Sequence, residues 1–270
     1  LNPIEIELSD WLGDEQLRII TDQKYLQLRR RILGSNFLEV EEICMSSRGV
    51  LYTQEDVSDT KLGSNYKPFF DRSFQRYETV DNPTLWILYG DNLKEKPQSP
   101  VFFENPRVLV RRIVSRQNRL LSTYDERMFI STKDVYNFFL RKSQKYDLKF
   151  LLSAFNSTLF SYLYLSQDVI ATKDDFRQIT LTGMRKLPIR RIAFTTPAGE
   201  RERLVAEARA LYERQGAPRE APTDWRGWRE HWRALWEWAD ARLPRQPDGA
   251  PDVSHEQSDA VHDLLAFLAE

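Results

Sequence analysis

The 270 residues read as an α+β chain: a mixed or antiparallel, β-rich domain with packed helices, followed by a helical C-terminal region. Three observations predict this. Residues 37–130 hold short runs of branched and aromatic residues separated by turn formers. Helically spaced apolar segments lie on either side of that stretch. The charge changes character near residue 192. Residues 1–192 carry 29 Lys+Arg against 25 Asp+Glu, a net of +4, whereas 193–270 carry 10 Arg, no Lys and 15 acids, a net of −5. A break of this kind marks a domain boundary. The expected division is a leading helical segment at 1–36, a β-rich domain at 37–192 and a helical region at 193–270.

In chain order, 9–33 opens on a Ser/Asp cap signal and continues at helical spacing, with Trp11, Leu12, Ile19, Leu26 and Ile32 as the expected stripe. Arg29, Arg30 and Arg31 close it. They suit either a phosphate or a solvated helix end favoured by the helix dipole. Then come the strand-like runs "FLEVEEICMS", "TLWILYG", "RVLVRRIV", "RLLSTYD" and "RMFIST", punctuated by Gly34, Gly49, Gly63, Asn82-Pro83, Gly90-Asp91 and Asn105-Pro106. Residues 134–141 and 147–166 read as helices, and "ITLTGMRKLPIRRI" as a turn with a short extended piece. The run "KFLLSAFNSTLFSYLYLSQ" at 149–167 is near membrane length, but Ser153, Asn156, Ser157, Thr158, Ser161 and Ser166 interrupt it. A buried helix lying close to a neighbouring backbone or loop fits better.

Beyond the break, 199–216 is an amphipathic helix with Leu204, Val205, Ala208, Leu211 and Tyr212 on one face and Gly216 at its end. Residues 224–244 place Trp225, Trp228, Trp232 and Trp236 on one helical stripe. Two readings compete: base stacking between arginines, and a packing face with arginines lying over it; the second is preferred. A last helix lies in "VSHEQSDAVHDLLAFLAE", with Val261, Leu264, Leu265 and Leu268 as its apolar side.

Several chemistries find no support. The single cysteine, Cys44, forms no internal disulfide and no multi-cysteine metal site. The three histidines, His231, His255 and His262, all lie in the last fifth, which argues against most zinc sites and imidazole catalysis in the first 230 residues. A reducing, cytoplasmic setting is expected. Asp147-Leu148-Lys149 has the D-x-K form of some nucleases, a pattern too short to carry an assignment. No catalytic residue and no metal ligand is expected. Residue 1 is Leu, so the chain reads as a piece of something longer.

The order of motifs in 40–192 resembles the TaqI-like target-recognition, or specificity, domain of adenine-specific DNA methyltransferases and fused type II restriction–modification enzymes. The residues carrying the resemblance are "SSRGVLYTQED" (46–56) as the opening glycine turn, "YKPFFDRSFQRYE" (66–78), "NPRVLVRRI" (105–113), "KYDLKFLLSAFNSTLFSYLYLSQ" (145–167) with the family's Asn-Ser helix signature, and "MRKLPIRRI" (184–192). The family's second glycine in the opening turn is missing. The resemblance implies sequence-specific recognition of double-stranded DNA in phage defence. It also implies a methyltransferase catalytic domain in the same polypeptide, ahead of residue 1. The Asn-Pro-Pro-Tyr motif and a glycine-rich loop are absent from this chain, so S-adenosylmethionine is expected there and no cofactor is expected here.

A recognition domain needs cations to hold phosphates and a few side chains to meet base edges. Lys67, Arg72, Arg76, Arg111, Arg112, Arg116 and Arg119 are candidates for the first task. Asn65, Gln75, Gln117 and Asn118 are candidates for the second. Strand alternation sends Arg111 and Arg112 to opposite faces, one toward DNA and one toward an acid. The expected partners are duplex DNA and the catalytic domain, with no membrane. The competing reading is a protein-binding adaptor of a defence complex, acting through the Trp-rich tail.

Overall fold

The computed structural model describes residues 23–33, 36–71, 73–78, 85–167 and 177–270. Two helix–strand elements lead in: α1 (Gln23–Leu33) and β1 (Phe37–Glu39), followed by the single turn α2 (Val40–Ile43). Tyr25 and Leu26 bury the inner side of α1. Trp11, Leu12 and Ile19 lie outside the described residues.

Two four-stranded sheets follow. The first has the order β2 (Cys44–Arg48), β9 (Val135–Leu140), β6 (Arg107–Arg111), β7 (Ser122–Asp125), and all its pairs are antiparallel. The second has the order β3 (Val57–Ser58), β5 (Leu85–Leu88), β4 (Tyr66–Phe70), β8 (Ile130–Ser131), with β4 and β8 parallel. β1 closes a small antiparallel pair with β10 (Pro188–Arg190). The five strand-like runs read from the sequence all contain strands. Residues 134–141, expected to be helical, are not a helix but β9, the inner strand between β2 and β6. The reason is burial on both faces: Val135 and Phe139 face one way, Tyr136 and Phe138 the other, and all are buried. A strand apolar on both sides loses the period of two that distinguishes it from a helix.

Cys44, Val108, Val110, Tyr136 and Phe138 on one face of the first sheet meet α3 (Leu148–Asn156) and α4 (Thr158–Gln167) in the main core. The rings of Phe138 and Phe155 meet edge-on at 5.1 Å. The opposite face carries Leu109 and Val135, packed with Phe70, Phe74 and Phe129 toward the second sheet. Burial pushes the Cys44 thiol up to about 12, which removes it as a nucleophile. Arg107 is fully enclosed and ion-paired with Asp125 at 2.6 Å, and it donates to the carbonyl oxygens of Phe102 and Phe129. The two sheets touch closely at Gly49, where a Cβ would lie 2.1 Å from the Thr132 carbonyl oxygen. Only glycine fits, which gives the opening glycine turn its physical reason.

α5 (Leu181–Arg185) leads into β10, and the tail then folds as α6 (Ala198–Gln215), α7 (Trp225–His231), α8 (Arg233–Ala241) and α9 (Ser258–Phe267). Leu204, Val205 and Ala208 of α6 pack with Trp238 of α8 and with Ala260 and Leu264 of α9. The tryptophan stripe is not the packing face: Trp225 and Trp236 are 65% and 52% exposed, and Trp228 is exposed as well. Among the described residues only Trp232 of the stripe finds a ring, stacking on Tyr212 at 5.0 Å. The packing stripe is Leu235, Trp238 and Ala239. At 100° per residue Trp238 lies nearly opposite Trp236, about 160° round the helix. Of the expected apolar side of α9, Leu264 is buried and Val261 packs beside it, whereas Leu265 and Leu268 are exposed; Ala260, His262 and Ala266 are buried as well.

α9 joins the tail to the front half. Ala266 and Ala269 enter the main core. His262 accepts from the Asp147 amide at 3.0 Å and sits among Tyr146, Phe150 and Phe194. Lys149 pairs with Glu270 at 2.6 Å, Arg190 with Glu256, and Asp259 caps Thr196. Among the described residues no helix is long and apolar enough to cross a membrane.

Candidate nucleic-acid interface

The candidate site grows from the interruption in the apolar run at 149–167. α3 stops at Asn156, and Ser157, with extended backbone, separates it from α4. Ser157 caps the new helix by accepting from the Phe160 amide at 3.1 Å. Asn156 is buried, and its side-chain amide matches the peptide of Ser122 on β7. Its Oδ1 accepts from the Ser122 amide at 2.9 Å and from the Ser122 hydroxyl at 2.8 Å, while its Nδ2 donates to the Ser122 carbonyl at 3.0 Å. Ser161, one turn into α4, accepts from the Leu120 amide at 3.1 Å. The polar residues of this apolar helix pair therefore hold one strand of the β6–β7 hairpin. Asp147 and Lys149 have structural roles as well. Asp147 caps α3 by accepting from the Lys149 amide, and Lys149 bonds Glu270.

The hairpin extends past its ladder, with the Arg111 amide donating to Leu121 at 2.9 Å. Ser115 and Arg119 close the loop: the Ser115 amide donates to Arg119, and the Asn118 amide to Ser115. Asn118 takes the left-handed conformation, φ 57. This matches a three-residue hairpin loop, a turn followed by one left-handed residue, a position where asparagine costs little. The other flank is held by 177–179, where the Val114 amide donates to Arg177 and the Ile179 amide to Arg112. A tip held on both flanks thus presents Arg116, Gln117 and Asn118, all exposed. Among the described residues Arg116 and Gln117 have no hydrogen-bond or ion-pair partner. Asn118 accepts from Arg177 at 2.7 Å.

A second group of candidates meets the base of this hairpin. After β4 the chain turns at Arg76 and Tyr77, with Tyr77 left-handed at φ 59 and its amide bonded to the Ser122 carbonyl at 3.1 Å. Arg119 and Arg76 both donate to the carbonyl oxygen of Asn156, at 2.8 and 3.4 Å. Burial and the neighbouring Arg76 charge push the Arg119 guanidinium below its ordinary value. Burial pushes the Tyr77 phenol up, opposed by a hydrogen bond with Asn156 and the charges of Arg76 and Arg119.

The remaining candidates scatter. Arg111 and Arg112 do take opposite faces, and both are engaged. Arg111 donates to the Phe74 carbonyl at 3.1 Å, and Arg112 bridges Asp134 and Gln178 at 3.1 and 2.8 Å. Gln75 is exposed on the 73–78 loop, where its amide bonds Glu78. Lys67 and Asn65 are exposed at the start of β4 and just before it, the end opposite the loop carrying Arg76. Arg72 lies outside the described residues. Reasoning from the sequence missed Tyr77 and Arg177 as members of the site. The Arg-Tyr pair in the 66–78 motif was a usable signal for Tyr77; nothing local singled out Arg177. Among the described residues no cluster of His, Cys, Asp or Glu is arranged to hold a metal ion.

Residues 67–189 match the family model of the TaqI-like C-terminal specificity domain. Over 192 residues the chain is 31% identical to a Methanocaldococcus jannaschii protein named as a type II restriction enzyme and methyltransferase, RM.MjaORFECS2P; the match covers 70% of this chain and 16% of that protein. Solved structures with a similar trace include a chain from work on assembly and conformational transition of the type I R-M system. It has 15% identity and a TM-score of 0.40, over 87% of this chain and 45% of that one. The HsdS subunit from Thermoanaerobacter tengcongensis is another, with 15% identity and a TM-score of 0.35, over 80% of this chain and 50% of that one. Held together by the Asn156 clasp and spanning β4 to β10, residues 67–189 of this chain are a TaqI-like C-terminal specificity domain.

Proposed function

We propose that this chain selects a short sequence of double-stranded DNA for an adenine-specific methyltransferase of a restriction–modification system. The catalytic domain, and with it S-adenosylmethionine, belongs elsewhere in the parent polypeptide. The observation that carries the reading is the β6–β7 hairpin tip. Arg116 and Gln117 stand exposed and unengaged on a loop held at both flanks. Such a loop meets base edges without reorganising, and arginine and glutamine are the side chains that read guanine and adenine. Arg76 and Arg119 at its base suit the backbone. Arg111, Arg112, Lys67, Gln75 and Asn118 remain candidates of lower rank, the first two because their guanidiniums already have partners.

We further propose the division 1–36, 37–192 and 193–270, with 193–270 dependent on the front half for its folding, since Ala266 and Ala269 sit in the main core. Mapping methylated sites in DNA exposed to the longer protein, with and without Gln117→Ala, tests the reading. A changed or relaxed site supports it. An unchanged site with unchanged affinity removes the tip from readout.

A second reading, an adaptor that docks a protein through the tail, is favoured by one observation: Trp225, Trp228 and Trp236 face solvent. Retention of a partner protein by the unmutated chain, abolished in Trp225→Ser/Trp236→Ser with duplex affinity unchanged, would support it.

A further inference from the structure

We propose that Arg76, Tyr77 and Arg119 form one seat for a single phosphodiester of the DNA backbone, with Asn156 as its positioning residue. This rests on the reading of the chain as a duplex-binding domain and assigns one contact within it. Two guanidiniums converge on one oxygen, the carbonyl of Asn156 at the end of α3. A helix C-terminus welcomes one cation through its dipole and free carbonyls. A second guanidinium beside the first brings like-charge repulsion, and among the described residues no carboxylate lies within ion-pair distance of either. An anion bound between the two relieves the repulsion and supplies acceptors. Guanidinium forks suit phosphate oxygens in geometry as well as charge.

Tyr77 adds a neutral donor. Its left-handed backbone is costly for a bulky residue. That conformation leaves the side chain 48% exposed beside the two arginines. A tyrosine hydroxyl is protonated at neutral pH, and burial pushes this one further that way. Asn156 touches no DNA in this scheme. Its side chain holds Ser122 and also bonds the Tyr77 hydroxyl, which fixes the carbonyl on which both guanidiniums rest and ties the seat to the hairpin that carries Arg116 and Gln117.

The test is equilibrium binding of the 270-residue chain to a mixed-sequence duplex over a range of salt. Arg76→Gln/Arg119→Gln should flatten the slope of log K against log salt by about 0.9, the share of one phosphate, and Arg76→Gln alone by part of that. The loss should be the same on every duplex sequence. Tyr77→Phe should weaken binding while leaving the slope unchanged. Arg203→Gln, on the tail and paired with Glu200, is the control and should change neither. If the double variant fails to fold, Arg76→Gln alone decides, because its 3.4 Å bond to Asn156 is marginal for stability. A wild-type slope in Arg76→Gln overturns the seat and leaves the DNA-binding reading intact. Absence of duplex binding by the unmutated chain overturns both.

Discussion

Two segments of this chain read as long helices, one an apolar run and one striped with tryptophan, and both are interrupted. The first breaks at Ser157, between α3 and α4; the second breaks at Trp232, between α7 and α8. At the first break the polar residues turn inward: Asn156 is buried on Ser122, and Ser161 reaches Leu120. At the second the apolar residues turn outward, with Trp225 and Trp236 in solvent and the buried tryptophan, Trp238, on the other side. Apolar periodicity locates a helix; it does not say which face finds a partner. A polar residue in an apolar run carries more information, because burying it without a partner is costly and so implies one.

The largest expected effect is at the buried side of the second segment. Trp238→Ala should destabilise the chain by about 3–5 kcal/mol in denaturant unfolding, the usual cost of emptying an aromatic site. A loss as small as that of the exposed tryptophans would erase the contrast between the two sides of α8. Next comes the first break. Asn156→Ala orphans the buried amide of Ser122, whose carbonyl keeps the Tyr77 amide, and should cost roughly 1–3 kcal/mol. It should also quicken hydrogen exchange at Leu120 and Ser122, and unaltered protection there would mean that the clasp does not hold the hairpin. Much smaller is the effect of Trp225→Ser/Trp236→Ser, expected to leave stability within about 0.5 kcal/mol.

The smallest is the electrostatic tether between α3 and α9. The Lys149 hydrogen bond holds the Glu270 carboxyl below its ordinary 4.5, and the same bond holds the Lys149 ammonium above its ordinary 10.5. A depressed carboxyl stabilises the fold above 4.5 and loses that contribution as pH falls. A raised ammonium stabilises it below 10.5 and loses that contribution as pH rises. The tether therefore acts between those limits. Because both groups are partly exposed, it contributes only about 0.5 kcal/mol or less. Thermal midpoints of the unmutated chain and Glu270→Gln should differ at pH 7 and converge at both extremes. A gap that persists in acid would point to packing in place of charge.

Much of the site was legible in one dimension. Strand texture placed β6 and β7, and the chemistry of their side chains made Arg116, Gln117, Asn118 and Arg119 candidates before any geometry was known. The Asn-Ser pair stood out because it broke an apolar run. Arg111 and Arg112 show the limit: alternation separated their faces correctly, but their partners, Phe74 and Gln178, are 37 and 66 residues away. β9 was misread because burial on both faces removes the period of two. The tryptophan stripe was misread because its spacing is equally compatible with facing a neighbour or facing water.

The sequence by itself located most of the strands and helical segments, since caps, turn residues and short-range periodicity act within a few positions along the chain. It also determined the break in charge at 192 and the order of motifs that marks the specificity domain. Only the tertiary structure decided which helix face is buried, which arginines are already spent, and that Arg76 and Arg119 meet on one carbonyl. Those outcomes depend on contacts between residues tens of positions apart, set by how two sheets and a helix pair stack, and no local pattern encodes a distance of that kind.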